Sequence, residues 1–190
     1  GGGVVLSGSS SAATLAQVAA MSAKHPAFAI DVAVLFSNKD KAIGEVLLWA
    51  VEKLKASPTL IYASAPPEKV SEIQSRFGRE KAGAVIEEAI AAIATGLAKS
   101  GVRRFVVAGG ETSGAVVSAL GVKALEIGPQ MSPGVPATLS LATGAWNLSS
   151  SSFAPTHGAA AFRRANIREI SFSRFRQSQY LNGFPVAKFS

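Results

Sequence analysis

At 190 residues the chain is long enough for one domain with a sizeable core and hardly long enough for two. Hydrophobic residues at 48%, charged residues at 16% and a mean hydropathy of +0.28 describe a globular interior, and the absence of cysteine excludes disulfides, thiolate catalysis and Cys-based zinc sites. Six basic residues against one acid between Ala161 and Ser190 account for +5 of the net charge of +7, so the body is close to neutral, as a small-molecule binder would be.

No apolar stretch reaches the length of a membrane span. Gly1-Gly2-Gly3 is neither a basic n-region nor followed by a long apolar run, so no signal peptide is expected and the cytoplasm is the default compartment. The chain does not begin with Met and runs at once into Val4-Val5-Leu6, which suggests the C-terminal part of something longer; a remnant of an expression vector explains the glycines equally well. With His25 and His157 as its two histidines, the sequence offers no His-rich metal site.

Val4 to Ser7 reads as a strand, Gly8-Ser9-Ser10-Ser11 as a small-residue turn, and Ala12 to Lys24 as a helix with Leu15, Val18, Ala19 and Met21 at helical spacing. Ala27 to Phe36 alternates partly and is expected to be a strand or an extended segment with Asp31 exposed. Asp40 to Lys55 is an amphipathic helix whose stripe is Ile43, Val46, Leu47, Ala50, Val51 and Leu54, flanked by Trp49. Leu60 to Ala63 is the next strand, and Pro66-Pro67 leads into a short helix from Glu68 to Phe77, ended by Gly78. Lys81 to Lys99 follows as the longest helix, burying Val85, Ile86, Ala89, Ile90, Ile93 and Leu97, with Gly101 past its end. Glu87 and Glu88 are neighbours on that helix, diverge, and read as a solvated face.

Phe105 to Ala108 is a buried strand, and Gly109-Gly110-Glu111-Thr112-Ser113-Gly114 opens a further helix that ends near Leu120. Strands are expected at Ala124 to Ile127 and Thr138 to Leu141, with Gly128 to Pro136 between them as a proline-stiffened loop, either a binding wall or plain linkage. Alternating strands and helices indicate an α/β fold: a single domain over residues 3–142, with a mostly parallel or mixed sheet between helix layers. After Thr143 the periodicity fades. Residues 143–190 read as a loosely attached basic tail, although Phe172, Arg174, Phe175 and Arg176 also have the composition of a nucleic-acid-binding segment.

Two turns carry the chemistry. Paired glycines let the backbone approach a ligand closely, and the free N–H groups of the following helix start favour an anion. Thr112 or Ser113 can cap that helix or donate a hydroxyl to a phosphate. The earlier strand–Gly/Ser turn–helix unit has the same shape, so both helix starts are expected to face one crevice at the strands' carboxyl ends. An ordinary pair of capped strand–helix turns is the rival reading. Other nucleotide signatures are missing: the chain has no G-x-x-x-x-G-K-[ST] and no G-x-G-x-x-G after a strand. In Gly110-Glu111-Thr112-Ser113-Gly114 the serine stands one place too late for a nucleophile elbow.

The ordered set of motifs resembles the C-terminal, nucleotide-binding domain of the four-carbon acid sugar kinases (3-oxo-tetronate, erythronate or threonate kinases). Ser7-Gly8-Ser9-Ser10-Ser11-Ala12-Ala13-Thr14 followed by Gln17 is similar to the family's Ser-Gly-Ser-Cys-Ser…Thr…Gln element, with Ser10 at the usual Cys. Gly109-Gly110-Glu111-Thr112-Ser113-Gly114 matches its glycine turn, Leu120-Gly121 and Ile127-Gly128 follow in place, and Pro133-Gly134-Val135-Pro136 is similar to its Pro-Gly-Val-Pro loop. The resemblance covers roughly residues 3–142. It implies that Ser9 and Ser11 bind ATP from the first turn. Gly109, Gly110, Glu111 and Thr112 would cradle its phosphates or ribose from the second, with Glu111 acting through Mg²⁺, a ribose hydroxyl or the loop itself.

In the resembled family an N-terminal domain binds the sugar acid and supplies the catalytic carboxylate, and γ-phosphate passes to a sugar-acid hydroxyl in the cleft between domains. That domain is missing from this sequence, so no catalytic residue or direct metal ligand is assigned, and the chain alone is expected to be inactive. The family's closing Lys-Ser-Gly-Asn-Phe-Gly element has no match after Leu141, which a tail read out of frame would explain. Two rivals stand beside the kinase reading: a non-catalytic nucleotide- or anion-binding module that works with a separate chain, and a basic-tail nucleic-acid binder. Whether the chain forms a homodimer is open.

Overall fold

A computed structural model of the protein describes residues 2–63, 65, 67–132, 135–140, 147–150 and 187–188. The apolar run Val4-Val5-Leu6 forms β1 (Val4–Ser7), buried along its whole length. It is followed by α1 (Ala12–Ser22), β2 (Ala27–Ala29), α2 (Val32–Lys53), β3 (Thr59–Tyr62), α3 (Pro67–Phe77), α4 (Arg79–Lys99), β4 (Arg104–Ala108) and α5 (Gly110–Ala119). Strands β5 (Ala124–Ser132), β6 (Val135–Ser140), β7 (Asn147–Ser150) and β8 (Ala187–Lys188) complete the described elements.

They form one sheet in the order β2-β3-β1-β4-β7-β6-β5-β8. The first five of these run parallel, and β6, β5 and β8 join antiparallel. Alternate residues point to opposite faces. Val4 and Leu6 of β1, Ile61 of β3, and Phe105 and Val107 of β4 pack against α2, α4 and α5. Val5, Leu60 and Val106 turn to the other face and meet Val18 and Met21 of α1. The result is the expected α/β arrangement, a mostly parallel sheet between helix layers. The core is thickest under α4, where Ala89, Ile90, Ile93, Ala94 and Leu97 are fully buried. Burying each of the three larger side chains is worth about 1.5–3 kcal/mol.

Three expectations change. The segment from Ala27 to Phe36 is a strand only as far as Ala29; α2 begins at Val32, because the Asp31 carboxylate accepts a hydrogen bond from the Ala33 N–H at 2.8 Å and caps the helix. Val32 and Leu35 then fall three apart on a buried helical face, the spacing of a helix and not of a strand. The helix expected from Asp40 is the second part of α2, separated from the first by the non-helical Asn38 (φ −156°, ψ 79°), whose side chain accepts from the Lys41 N–H at 3.1 Å. Second, Val51 is 37% exposed rather than part of the buried stripe, which Val46, Ala50 and Leu54 carry.

Third, the proline-rich stretch from Gly128 is mostly strand: β5 runs on to Ser132 and β6 starts at Val135, pairing antiparallel with register shifts at Gln130 and Ser132. The expected tail, residues 143–190, lies outside the described residues apart from β7 and β8.

Candidate functional site

β1 and β4 are nearest neighbours, paired in parallel from Val4↔Phe105 to Ser7↔Ala108, so the two glycine-containing turns leave the sheet at the same level. One leads to α1 on one face and the other to α5 on the opposite face. Such a divergence opens a crevice at the carboxyl ends of the strands. The turns touch. A Cβ on Gly8 would stand 2.6 Å from the Thr112 Oγ1, and one on Gly109 would stand 3.1 Å from the Ser9 Cβ. Gly109 also has φ +109° and ψ 136°, a region essentially closed to other residues. Glycine at both positions is what lets these backbones meet.

The crevice is a cavity of about 810 Å³, within the usual size range of small-molecule sites. Its floor is made by Gly8, Ser9, Ser10, Gly109, Gly110, Glu111 and Thr112. Its walls are Val70, Ile73 and Gln74 of α3, the first half of α4 from Arg79 to Glu87, and Val32 of α2. The lining joins the polar turns to apolar side chains (Val32, Val70, Ile73, Ile86) and to the charged Arg79, Glu80 and Glu87, so it offers surface for both a polar and an apolar part of a ligand.

Five of the six residues expected from the sequence line this cavity: Ser9, Gly109, Gly110, Glu111 and Thr112. Ser11 is not among the lining residues. Its hydroxyl caps α1, accepting from the Thr14 N–H at 3.2 Å and lying 2.9 Å from the Thr14 hydroxyl. It steadies the turn from behind, because its own N–H donates to the Ser9 hydroxyl oxygen at 3.3 Å, as does the Thr14 hydroxyl. On the second turn, the Ser113 hydroxyl is committed to the Gly109 carbonyl at 2.7 Å. Among the described residues no side chain caps α5, so its leading N–H groups are open to a ligand. Thr112 is only 4% exposed, yet its hydroxyl has no hydrogen-bond partner among the described residues. A buried hydroxyl left in that state costs about 1–3 kcal/mol.

Sequence reasoning missed the walls. Glu87 and Glu88, expected on a solvated face, separate in the fold. Glu88 is exposed and pairs with Lys39 at 2.7 Å, whereas Glu87 lines the cavity. Partial burial, and then the charge of Glu111, raise the Glu87 carboxyl above its usual range. A repeat at four-residue spacing, Gly83 and Glu87, was the available signal, but nothing in the sequence says that the turns lie over that part of α4. Arg79, at the start of α4, is the cation among the described lining residues. Among the described residues there is no group of three or more His, Asp or Glu suited to a metal. Glu87 and Glu111 are a pair, which matches the share of ligands a protein contributes to Mg²⁺ when phosphate oxygens and water supply the rest.

A family model described as a nucleotide-binding C-terminal domain matches residues 4–162. The chain belongs to this family. A 3-oxo-tetronate kinase of Pseudomonas fluorescens is 52% identical over 141 residues, covering 74% of this chain and 32% of that protein. One from Burkholderia multivorans is 51% identical over 143 residues, covering 75% and 33%. A solved Haemophilus influenzae structure superposes with a TM-score of 0.79 at 34% identity, covering 86% of this chain and 39% of its own. The chain thus spans about a third of the length of the curated relatives it matches. No helix among the described residues is long and apolar enough to cross a membrane.

Proposed function

We propose that this chain is the ATP-binding half of a four-carbon acid sugar kinase, working in the cytoplasm together with a substrate domain. The observation that carries the reading is the meeting of two glycine turns from adjacent parallel strands at one cavity, with the uncapped start of α5 and the idle Thr112 hydroxyl facing into it. In this reading the N–H groups at Gly110 and Glu111 hold the phosphates, with the Thr112 hydroxyl beside them, and Ser9 and Ser10 approach from the first turn. Ser11 acts through Ser9. The apolar wall of Val70, Ile73 and Ile86 receives the base.

Phosphoryl transfer needs positioning and charge neutralisation more than covalent chemistry from the protein. Mg²⁺ supplies the neutralising charge when bound. The acceptor hydroxyl and its base belong to the substrate domain in this reading; the alternative is a non-catalytic nucleotide- or anion-binding module that works with a separate chain. Calorimetric titration of Mg·ATP tests the proposal. Saturable binding is expected in the parent, with a loss of at least about tenfold in Gly110→Val, whose side chain would stand in the path of the phosphates. A folded parent that binds no ATP would refute it.

A further inference from the structure

A polyphosphate would enter this cavity against its charge. The described ionisable residues lining it are Glu80, Glu87 and Glu111 against one guanidinium, Arg79. Neither Glu87 nor Glu111 is ion-paired among the described residues, and Arg79 has not closed onto either of them. The two carboxylates come from different elements, the middle of α4 and the first turn of α5, and both line the same cavity. Like charges gathered in one cavity without a partner are costly unless a cation sits with them.

Thr112 follows Glu111 directly and is an independent sign of a missing ligand, being more than nine-tenths buried, without a partner among the described residues, and on the cavity floor. Its oxygen is a neutral donor. Two carboxylates, a hydroxyl, phosphate oxygens and water make an all-oxygen set. Mg²⁺ prefers such a set, because it keeps several waters and takes only one or two carboxylates from the protein. Zinc and copper favour nitrogen or sulfur, which the described lining residues do not offer.

We propose that Glu87 and Glu111, with the Thr112 hydroxyl, seat the divalent cation that accompanies the nucleotide. The proposal rests on the nucleotide reading for its ligand and adds Glu87, a residue the motifs do not contain. The α5 start then takes phosphate oxygens directly, and the cation joins the phosphates to carboxylates that would otherwise repel them. Glu88, one residue on and tied to Lys39 at the surface, takes no part.

The test is ATP titration of the parent, Glu87→Gln and Glu88→Gln, each with Mg²⁺ and with chelator, after circular dichroism has shown all three folded. In the parent and in Glu88→Gln, Mg²⁺ should tighten ATP by about tenfold or more. In Glu87→Gln that dependence should disappear, while affinity in chelator equals or exceeds the parent's because a repelling charge is gone. Equal Mg²⁺ dependence in Glu87→Gln and the parent would overturn the cation seat and leave the nucleotide site standing, as would a parent indifferent to Mg²⁺. If the folded parent binds no ATP at all, the nucleotide reading fails, and Mn²⁺ binding followed by water-proton relaxation decides the seat alone. Mn²⁺ bound by the parent and lost in Glu87→Gln supports it; no bound Mn²⁺ overturns it.

Discussion

Thr112 separates a residue kept for folding from one kept for a ligand. Its hydroxyl is buried and has no partner among the described residues, so it contributes nothing to the fold that a methyl group would not. Thr112→Val should therefore leave stability unchanged or raise it by up to about 1 kcal/mol in urea unfolding, since an unsatisfied polar group is removed. The same change should weaken Mg·ATP binding. A clear loss of stability would mean that the hydroxyl does structural work. Glu87 gives a second residue-scale expectation. A carboxyl whose pKa is raised by folding favours the folded state while protonated; that contribution is present in acid and is lost as pH rises through the raised value. Metal-free Glu87→Gln should thus gain stability relative to the parent as pH rises from the usual carboxylate range through the raised value. A stability difference that stays flat across this range would contradict the raised pKa.

Among the elements, α3 stands apart. It has no buried residue; Val70 and Ile73 line the cavity, and Ile73 is only partly buried where it meets the core. It ends on Phe77, whose ring stacks on Phe36 of α2 at 3.9 Å between centroids and nearly parallel, with the Arg76 guanidinium 4.9 Å from the Phe77 ring. Gly78, at φ +87°, then turns the chain into α4, which is buried deeply enough to be its opposite. An element with few buried apolar contacts opens at low free energy. Backbone amides of α3 should exchange with deuterium much faster than those of α4, and saturating Mg·ATP should slow them if the nucleotide lies against Val70 and Ile73. Phe36→Ala should speed exchange in α3 further, at a cost of about 0.5–1.5 kcal/mol for the ring pair, with α4 unchanged. Equal protection in both helices would remove α3 from the role of adjustable wall.

At the scale of the molecule, the sheet order decides where the ligand goes. β1 lies between β3 and β4, its turn leads to the α1 face, and the turn after β4 leads to the opposite one. That divergence, more than any side chain, makes the cavity. The chain holds one side of a kinase cleft in the proposed reading, so phosphoryl transfer should be absent from it alone. Transfer should return on adding a purified substrate domain of a 3-oxo-tetronate kinase together with ATP, Mg²⁺ and the four-carbon acid. Failure of that mixture, with both parts folded and ATP bound, would favour a binding module without catalysis.

Much of this was legible in the residues. Short apolar runs bounded by glycine and helical stripes such as Ile90, Ile93 and Leu97 are local patterns, set by the two-residue and 3.6-residue repeats of strand and helix. They suffice for the α/β class, and the Gly109–Thr112 turn is a local backbone requirement that glycine announces by itself. Asp31 was visible too, but whether it starts a helix depended on Val32 and Leu35 finding a core, and a core is not a local property. The contact of Gly8 with Thr112, the different fates of Glu87 and Glu88, and the exposure of Val51 arise between segments far apart in sequence. Only the packing of β1 against β4 and of α4 across their ends brings those residues to one place.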